Sequence, residues 1–287
     1  MAETTTQTVP KTIAEVKSAV TPVWCPGCGD FGVLNAIYKA IVTMELDLKS
    51  TVIVSGIGCS GRLPIFTKCY GFHGVHGRVL PTAMGVKLAN PKLTVLAVGG
   101  DGDGLAIGGG HFPHAARRNV DITYIMMDNS VYGLTKGQGS PTTSHDFTLK
   151  ALPNGAQEEN LNPIAWALAY DVSYVARAYT GSIDQMTDLY IKAIQHKGFS
   201  FVHSISPCTA FNDTYKYYRG RVVNIPPEHD VTNKKAALDL WQTPGKVYLG
   251  TFYESAREDF YTKKAELSKK LQLDGKATTE TLLSQFV

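Results

Sequence analysis

The stretch that decides the fold is LTVLAVGGDGDG, residues 93–104. Its first six residues form an apolar run typical of a buried strand. The glycine-rich turn then leads into residues 105–118, which have the length of a crossover helix, and a second apolar run, ITYIMM, follows at 122–127. Strand, turn, helix and strand make a βαβ unit, and unbroken apolar strands are typical of a parallel sheet covered by helices. We therefore predict an α/β fold with a mostly parallel sheet and helices on both faces.

Outward from this unit, the same patterns recur along the chain. TVIVS at 51–55 and FSFVHSI at 199–205 predict two more buried strands. Asp30 is a candidate N-cap for a helix of period 3.6, and further helices are predicted at 160–170, 182–196 and 254–272. We divide the chain into a polar N-terminal arm (1–20), a site-bearing domain (21–212) and a C-terminal extension that contacts a partner (213–287).

Composition excludes several classes of protein. Hydrophobic residues make up 44% of the 287 residues, enough for a packed core. The net charge of +3 is too balanced for a nucleic-acid groove. No apolar run approaches the ~18 residues of a membrane span, and the first twelve residues lack the apolar segment of a secretory signal. Charged residues, at 18%, fall below the roughly 25% of typical domains. We expect a cytoplasmic protein that assembles with partner subunits.

The turn at 99–104 has the character of a diphosphate site. Ligands of open parallel sheets bind beyond the carboxyl ends of the strands, where glycines let backbone N–H groups and the following helix face phosphate oxygens. Asp101 would repel a bare phosphate, so its presence predicts a bridging divalent cation such as Mg²⁺. The next strand ends at Asp128-Asn129. Since adjacent parallel strands end side by side, Asp101 and Asn129 can share that metal.

This arrangement of GDG, about 25 residues and an asparagine pair resembles the thiamine-diphosphate motif. The chain departs from it at the first position of the pair, where Asp128 stands in place of asparagine. The resemblance implies that Asp101, Asn129 and the main-chain carbonyl of Val131 hold Mg²⁺. An ordinary glycine-rich α/β turn is the alternative, and the spacing and the strand context favour the cofactor motif.

Four of the five cysteines fall near the predicted ligand edge of the sheet. WCPGC at 24–28 resembles the WCGPC of thioredoxins, but the central pair is inverted and no strand precedes it. A structural zinc site usually takes two close pairs of ligands, whereas Cys59 and Cys208 each stand alone after a strand. Four thiolates from three separate loops at this edge of the sheet suit a [4Fe–4S] cluster.

Together these segments resemble the β subunits of the 2-oxoacid:ferredoxin oxidoreductases, most closely the 2-oxoglutarate type. The resemblance runs from about Val23 into the C-terminal region, and it is carried by WCPGCG, GIGCSGR, HGRVLPTAMGVKLANP, GGDGD, YGLTKGQ and SPC. It implies a thiamine-diphosphate-binding fold and a [4Fe–4S] cluster ligated by Cys25, Cys28, Cys59 and Cys208. Cys69 lies outside these motifs, and we expect it to be a buried apolar residue.

The resemblance also implies which residues contact thiamine diphosphate: Ile57, Gly58, Cys59, Ser60, His76, Gly102, Asp103, Gly133 and Leu134. His73, in the same glycine-rich loop as His76, is interpreted as structural, as are His111 and His114. Arg62 and Lys136 follow cofactor-lining loops. They are candidate catalytic residues that hold the carboxylates of the substrate, because a dianionic 2-oxoacid needs charge-assisted partners.

The implied reaction is the oxidative decarboxylation of 2-oxoglutarate to succinyl-CoA, with coenzyme A as co-substrate and electrons passing through the cluster to ferredoxin. One α/β domain supplies only half of a thiamine site, so an α subunit would supply the other half and its glutamate. Three alternatives stay open: the same reaction on pyruvate or on a range of 2-oxoacids, a non-redox thiamine enzyme, and a cysteine–zinc interaction module. The cysteines would have no use in a non-redox enzyme, and the GDGDG turn would have none in a zinc module.

Overall fold

The sheet is the central element of the fold. A computed structural model describes residues 8–145, 147–149, 151–270 and 283–284 of the chain. Eight strands lie in the order β2-β1-β3-β4-β6-β5-β8-β7. The strands are β1 (Thr51–Ser55), β2 (Tyr70–His73), β3 (Thr94–Gly100), β4 (Ile122–Asp128), β5 (Tyr174–Tyr179), β6 (Phe199–Ile205), β7 (Val222–Asn224) and β8 (Val247–Glu254). All neighbours pair in parallel except β5 and β8. The predicted fold class is therefore confirmed.

Helices cover both faces of this sheet. They are α1 (Ile13–Val16), α2 (Asp30–Thr43), α3 (Val79–Ala89), α4 (Phe112–Arg118), α5 (Pro163–Ala169), α6 (Ile183–Gln195), α7 (Tyr215–Arg219), α8 (Lys234–Trp241) and α9 (Phe260–Lys270). No helix of the described ranges has both the length and the apolar character that crossing a bilayer would require.

Two hydrophobic cores lie on opposite faces of the sheet. Side chains alternate along each strand, so Leu96 and Val98 of β3 pack with α2 and α6 on one face, whereas Val95 and Ala97 pack with α3, α4 and α5 on the other. The central strands are buried along their whole length. This double coverage explains why they read as continuous apolar runs rather than as alternating ones.

The predicted crossover helix over 105–118 is wrong at its start. A π-helical segment, Gly102–Ile107, and a 3₁₀ turn, Gly109–His111, precede α4. The backbone leaves helical geometry at Ala106 (φ −84°, ψ −105°). This path requires a glycine at position 108, because a Cβ there would lie 2.4 Å from the carbonyl oxygen of Asp103.

Two other helix predictions need correction. Gly29 occupies the N-cap of α2, and Asp30 is the first helical residue, where its Oδ1 accepts a hydrogen bond from Ser206 Oγ at 2.6 Å. The charged C-terminal helix starts only at Phe260, because residues 247–254 form β8 at the sheet instead. Residues 1–7 of the predicted arm and residues 271–282 and 285–287 of the predicted extension lie outside the described residues.

Candidate cofactor site

A cavity of about 170 Å³ opens beyond the carboxyl ends of β1, β3 and β4. The loops after β1 and β4 and the glycine-rich turn after β3 form most of it, and His76, in the loop after β2, completes one side. The sequence-predicted residues that line it are Ile57, Gly58, Cys59, Ser60, His76, Asp101, Gly102, Asp103, Asn129, Val131, Gly133 and Leu134. The sheet thus brings the predicted diphosphate, metal and cofactor-contact residues to one place.

The three predicted metal ligands, Asp101, Asn129 and Val131, line the same cavity. Asp101 is 2% exposed. Burial, followed by the negative charge of Asp128, raises the pKa of Asp101 to about 7. Asn129 Oδ1 accepts one hydrogen bond, from the N–H of Val131 at 3.1 Å, which leaves a lone pair of this oxygen available. A buried carboxylate without a countercharge, beside an amide oxygen and a backbone carbonyl, fits an oxygen-binding divalent cation.

Asp103 holds the neighbouring loops together. Its Oδ1 accepts hydrogen bonds from the backbone N–H groups of Ile57 (3.0 Å) and Gly77 (2.8 Å) and lies 2.8 Å from His76 Nδ1. An ionised carboxylate only accepts, so Nδ1 of His76 carries the hydrogen and Nε2 is left for a ligand. The Oδ2 of Asp103 is buried without a partner among the described residues. Asp103 therefore joins the loops after β1 and β3 and orients His76 at the cavity.

Two of the four predicted cluster cysteines, Cys59 and Cys208, lie beside the same glycine. A Cβ at Gly133 would lie 3.6 Å from Cys59 Sγ and 3.7 Å from Cys208 Sγ, so both sulfurs lie beside this glycine. The N–H of Cys28 bonds to the carbonyl of Cys25 at 3.0 Å, which closes the WCPGC turn. Trp24 Nε1 donates to the carbonyl of Cys59 at 2.8 Å and ties that turn to the loop after β1.

The thiols of this group influence one another. Burial, then Asp30, Cys208 and Cys25, raise the pKa of Cys59 to about 11 against a smaller lowering by Arg62. Burial and the nearby Asp30 and cysteines likewise raise the pKa of Cys28. Such thiols ionise when a cation compensates their charge, and ligation of a cluster by all four cysteines stays a prediction. In the parts of the chain described above, no three His, Cys, Asp or Glu side chains form a group that could hold a metal ion.

The structure places the remaining candidates away from the cavity lining. Arg62 and Lys136 are both exposed, and Lys136 has a φ of 85°. Their predicted roles stay predictions. His73 Nδ1 lies 3.0 Å from Ser55 Oγ, and Cys69 is 7% exposed within the apolar core on the α2 face.

Several residues at this site were missed by the sequence interpretation. Asp30, Tyr132 and Thr135 also line the cavity, and Thr142 Oγ1 lies 2.7 Å from Asp101 Oδ2. Asp30 is 2% exposed, its Oδ2 has no partner among the described residues, and burial raises its pKa to about 6. An acidic residue directly after WCPGCG was a usable signal, whereas nothing local to Thr142 indicates its contact with Asp101.

Comparisons with known proteins identify the family of this chain. The thiamine pyrophosphate enzyme C-terminal TPP-binding domain matches residues 56–204. The family of the C-terminal part of pyruvate ferredoxin oxidoreductase β subunits matches residues 208–269. The first match spans the cavity-lining loops that follow β1, β2, β3 and β4. The fold and the site thus define a thiamine-diphosphate-binding protein.

The relatives narrow this class further. The 2-oxoacid:ferredoxin oxidoreductase subunit β of Saccharolobus solfataricus is 41% identical over 284 residues, covering 90% of this chain and 93% of that one. The 2-oxoglutarate synthase subunit KorB of Methanothermobacter marburgensis is 37% identical over 240 residues, covering 83% and 84%. A solved 2-oxoglutarate:ferredoxin oxidoreductase from Magnetococcus marinus, with 2-oxoglutarate, coenzyme A and succinyl-CoA bound, matches with a TM-score of 0.92 and 39% identity over 95% of both chains. The chain belongs to the β subunits of the 2-oxoacid:ferredoxin oxidoreductases.

Proposed function

We propose that this chain is the β subunit of a CoA-dependent 2-oxoglutarate:ferredoxin oxidoreductase, and that it holds thiamine diphosphate, Mg²⁺ and one [4Fe–4S] cluster. The observation that carries the proposal is that the cavity and the cysteine group have residues in common. Cys59 lines the cavity, and its sulfur lies with that of Cys208 beside Gly133, which lines the same cavity. The cofactor site and the cysteine group are therefore adjacent, as electron transfer between them requires.

The chain's own residues bind and orient the cofactor. Asp101, Asn129 and the carbonyl of Val131 would hold Mg²⁺ against the diphosphate. His76, fixed through Nδ1 by Asp103, presents Nε2 to the same cavity. Bound thiamine diphosphate would supply the electron sink for decarboxylation of the 2-oxoacid.

The cysteine group supplies the route for electrons. Cys25, Cys28, Cys59 and Cys208 would ligate a cluster, which is a one-electron acceptor whose potential is set by its surroundings. Electrons would leave to ferredoxin, and coenzyme A would take the acyl group. A non-redox thiamine enzyme has no use for this group of cysteines.

The site requires an α subunit to be complete. The acidic residues that line the described cavity are Asp30, Asp101 and Asp103, with no glutamate among them. Beyond it, the edge strand β2 exposes Tyr70 and Phe72 (63% and 49%). Exposed aromatic residues on an edge strand are typical of a protein interface. We infer that the α subunit packs against this edge and supplies the glutamate.

The substrate proposal rests on the relatives, because KorB of Methanothermobacter marburgensis and the Magnetococcus marinus enzyme are named for 2-oxoglutarate. The second carboxylate of this substrate needs a cation beyond the one that fixes the first. Arg62 is the better candidate for bidentate geometry, and Lys136 would act as a point charge.

Two cysteine variants test the cluster. Cys208 and Cys69 are both 7% exposed, so Cys208→Ser and Cys69→Ser form a matched pair. We expect the anaerobically purified complex to contain iron and to absorb broadly in the visible range. Cys208→Ser should lose both properties, and Cys69→Ser should retain them. Iron that survives Cys208→Ser and disappears in Cys69→Ser would contradict the ligand assignment, and a complex that binds thiamine diphosphate without iron would favour the non-redox alternative.

A further inference from the structure

A row of hydrogen-bonded side chains runs across three neighbouring strands toward the cavity. Arg177 on β5 donates through Nε to Nδ1 of His203 on β6 at 3.1 Å. Nε2 of that histidine lies 2.7 Å from Oδ2 of Asp128, the last residue of β4. β5, β6 and β4 are adjacent in the sheet, so the row crosses them in order.

The directions of the first two hydrogen bonds in this row, Arg177 to His203 and His203 to Asp128, are fixed. A guanidinium only donates, so Nδ1 of His203 accepts and Nε2 carries the hydrogen that it donates to Asp128. Arg177 thus imposes one tautomer and one ring orientation on His203. A histidine held in this way presents a donor to Asp128, as the residues that orient metal ligands do at other metal sites.

The row continues to the predicted Mg²⁺ ligands. Asp128 Oδ1 accepts a hydrogen bond from the N–H of Ser130 (2.9 Å) and lies 2.8 Å from Thr142 Oγ1. That same hydroxyl lies 2.7 Å from Asp101 Oδ2. Ser130 stands between Asn129 and Val131, the other two predicted ligands. Asp128 and Thr142 therefore contact both ligand-bearing loops.

The members of the row are buried. Arg177 is 7% exposed, His203 5%, and Asp128 and Thr142 6% each. Burying two opposite charges is costly unless their geometry and hydrogen bonds are good, and apolar residues of similar volume often serve stability equally well. Stability alone therefore does not explain this row. Its position beside Asp101 points to a role at the predicted metal site.

We propose that Thr142, Asp128, His203 and Arg177 are positioning residues that hold Asp101 and the 129–131 loop in the geometry for Mg²⁺. This inference rests on the proposed function. The row would fix the Asp101 carboxylate through Thr142 and the loop through Ser130, so that the metal meets oxygens already in place. Removing a member should weaken Mg²⁺ binding without removing a ligand.

The test measures Mg²⁺ affinity rather than activity. In the purified complex, Mg²⁺ is titrated at a fixed concentration of thiamine diphosphate, and the half-saturating Mg²⁺ concentration for cofactor binding is recorded for each variant. The melting temperature of each variant is measured separately, to distinguish a loss of Mg²⁺ affinity from a loss of stability. Thr142→Val, which lacks the hydroxyl at similar volume, should raise that concentration about tenfold, the lower range for losing a residue that orients a metal ligand. Thr142→Ser keeps the hydroxyl and should restore the affinity.

A second pair tests the distant part of the row. His203→Leu should shift the Mg²⁺ requirement in the same direction, whereas His203→Gln can accept from Arg177 and donate to Asp128 and should recover it. His196 provides the control, since its side chain is 5% exposed and lies 3.3 Å from Glu254 and 2.9 Å from Ser173 Oγ, away from the cavity. His196→Leu should lower the melting temperature with no change in Mg²⁺ affinity.

The outcomes separate the two proposals. A wild-type complex with no Mg²⁺-dependent binding of thiamine diphosphate would overturn the proposed function and this inference with it. Normal binding by the wild type together with unchanged Mg²⁺ affinity in Thr142→Val and His203→Leu would overturn the inference alone. A Mg²⁺ shift in His196→Leu equal to that in His203→Leu would also overturn it, because the effect would then follow stability.

Discussion

Gly102→Ala should impair cofactor binding by moving an aromatic ring at the cavity. A Cβ on Gly102 would lie 2.3 Å from Cε1, 2.8 Å from Cζ and 2.9 Å from Cδ1 of Tyr132. Carbon atoms pack at about 3.5–4.0 Å, so the ring must move by more than an ångström. Tyr132 also lines the cavity and donates to the Gly102 carbonyl at 3.3 Å. Overpacking of this kind costs about 1–3 kcal/mol, which corresponds to a roughly 5- to 150-fold loss of affinity if it falls on the bound state.

The assay is equilibrium binding of thiamine diphosphate at saturating Mg²⁺ in the purified complex. Gly110→Ala is the matched control, because a Cβ there meets nothing within 4 Å. Its affinity should equal that of the wild type. The double variant Gly102→Ala/Tyr132→Ala measures the coupling between the two positions, and it should lose less affinity than the sum of the single variants. Wild-type affinity in Gly102→Ala, or purely additive losses, would refute the steric argument.

Three more variants probe the same site and its surroundings. Asp101→Ala should abolish Mg²⁺-dependent binding of thiamine diphosphate and leave the visible absorbance of the cluster unchanged; retained affinity would refute the metal bridge. Arg62→Ala or Lys136→Ala, whichever removes the partner of the distal carboxylate, should lower kcat/KM for 2-oxoglutarate. The loss should correspond to roughly 2–4 kcal/mol of transition-state free energy, as for a charged contact left unpaired. Pyruvate turnover should change less. Equal losses for both substrates would place the selectivity on the α subunit. Gly85→Ala, in an exposed position of α3 where a Cβ meets nothing within 4 Å, should stabilise the chain by about 0.5–1 kcal/mol in chemical denaturation.

The parts of the fold that sequence reasoning found are those where a local pattern is sufficient. β1 and β6 have the bounds that the apolar runs predict, β4 ends slightly later, and β3 both starts and ends slightly later. β5 was missed because Arg177 interrupts an otherwise apolar run, YVARAY. β2 was missed because it is four residues long and exposed along its length. Strands of this kind are defined by their neighbours in the sheet, which one segment of sequence does not show.

At the site, too, residues in local motifs could be predicted from the sequence, whereas contacts between distant segments could not. Residues within contiguous motifs, such as GDGD after β3, were placed at the cavity because each motif follows a strand and strand ends converge. Thr142 and His203 reach the site from separate segments, and only the folded sheet brings them to Asp128. The interruption of β5 was nevertheless informative, since a buried cation requires a partner, and Arg177 was the signal that a polar network crosses the sheet.

The departure from the thiamine motif at position 128 has a physical counterpart elsewhere in the sheet. An asparagine there would be neutral, whereas Asp128 brings a second carboxylate to the Thr142 hydroxyl that also contacts Asp101. Burial raises the pKa of Asp128, but hydrogen bonds and charge from His203, with further bonds from Thr142 and Ser130, hold it below its usual value. The ionised carboxylate of Asp128 is stabilised because His203, on the adjacent strand β6, donates a hydrogen bond to it, and the guanidinium of Arg177, on β5, donates to His203 in turn. The aspartate at 128, the histidine at 203 and the arginine at 177 form one electrostatic unit, and the unusual residue of the motif is compensated two strands away.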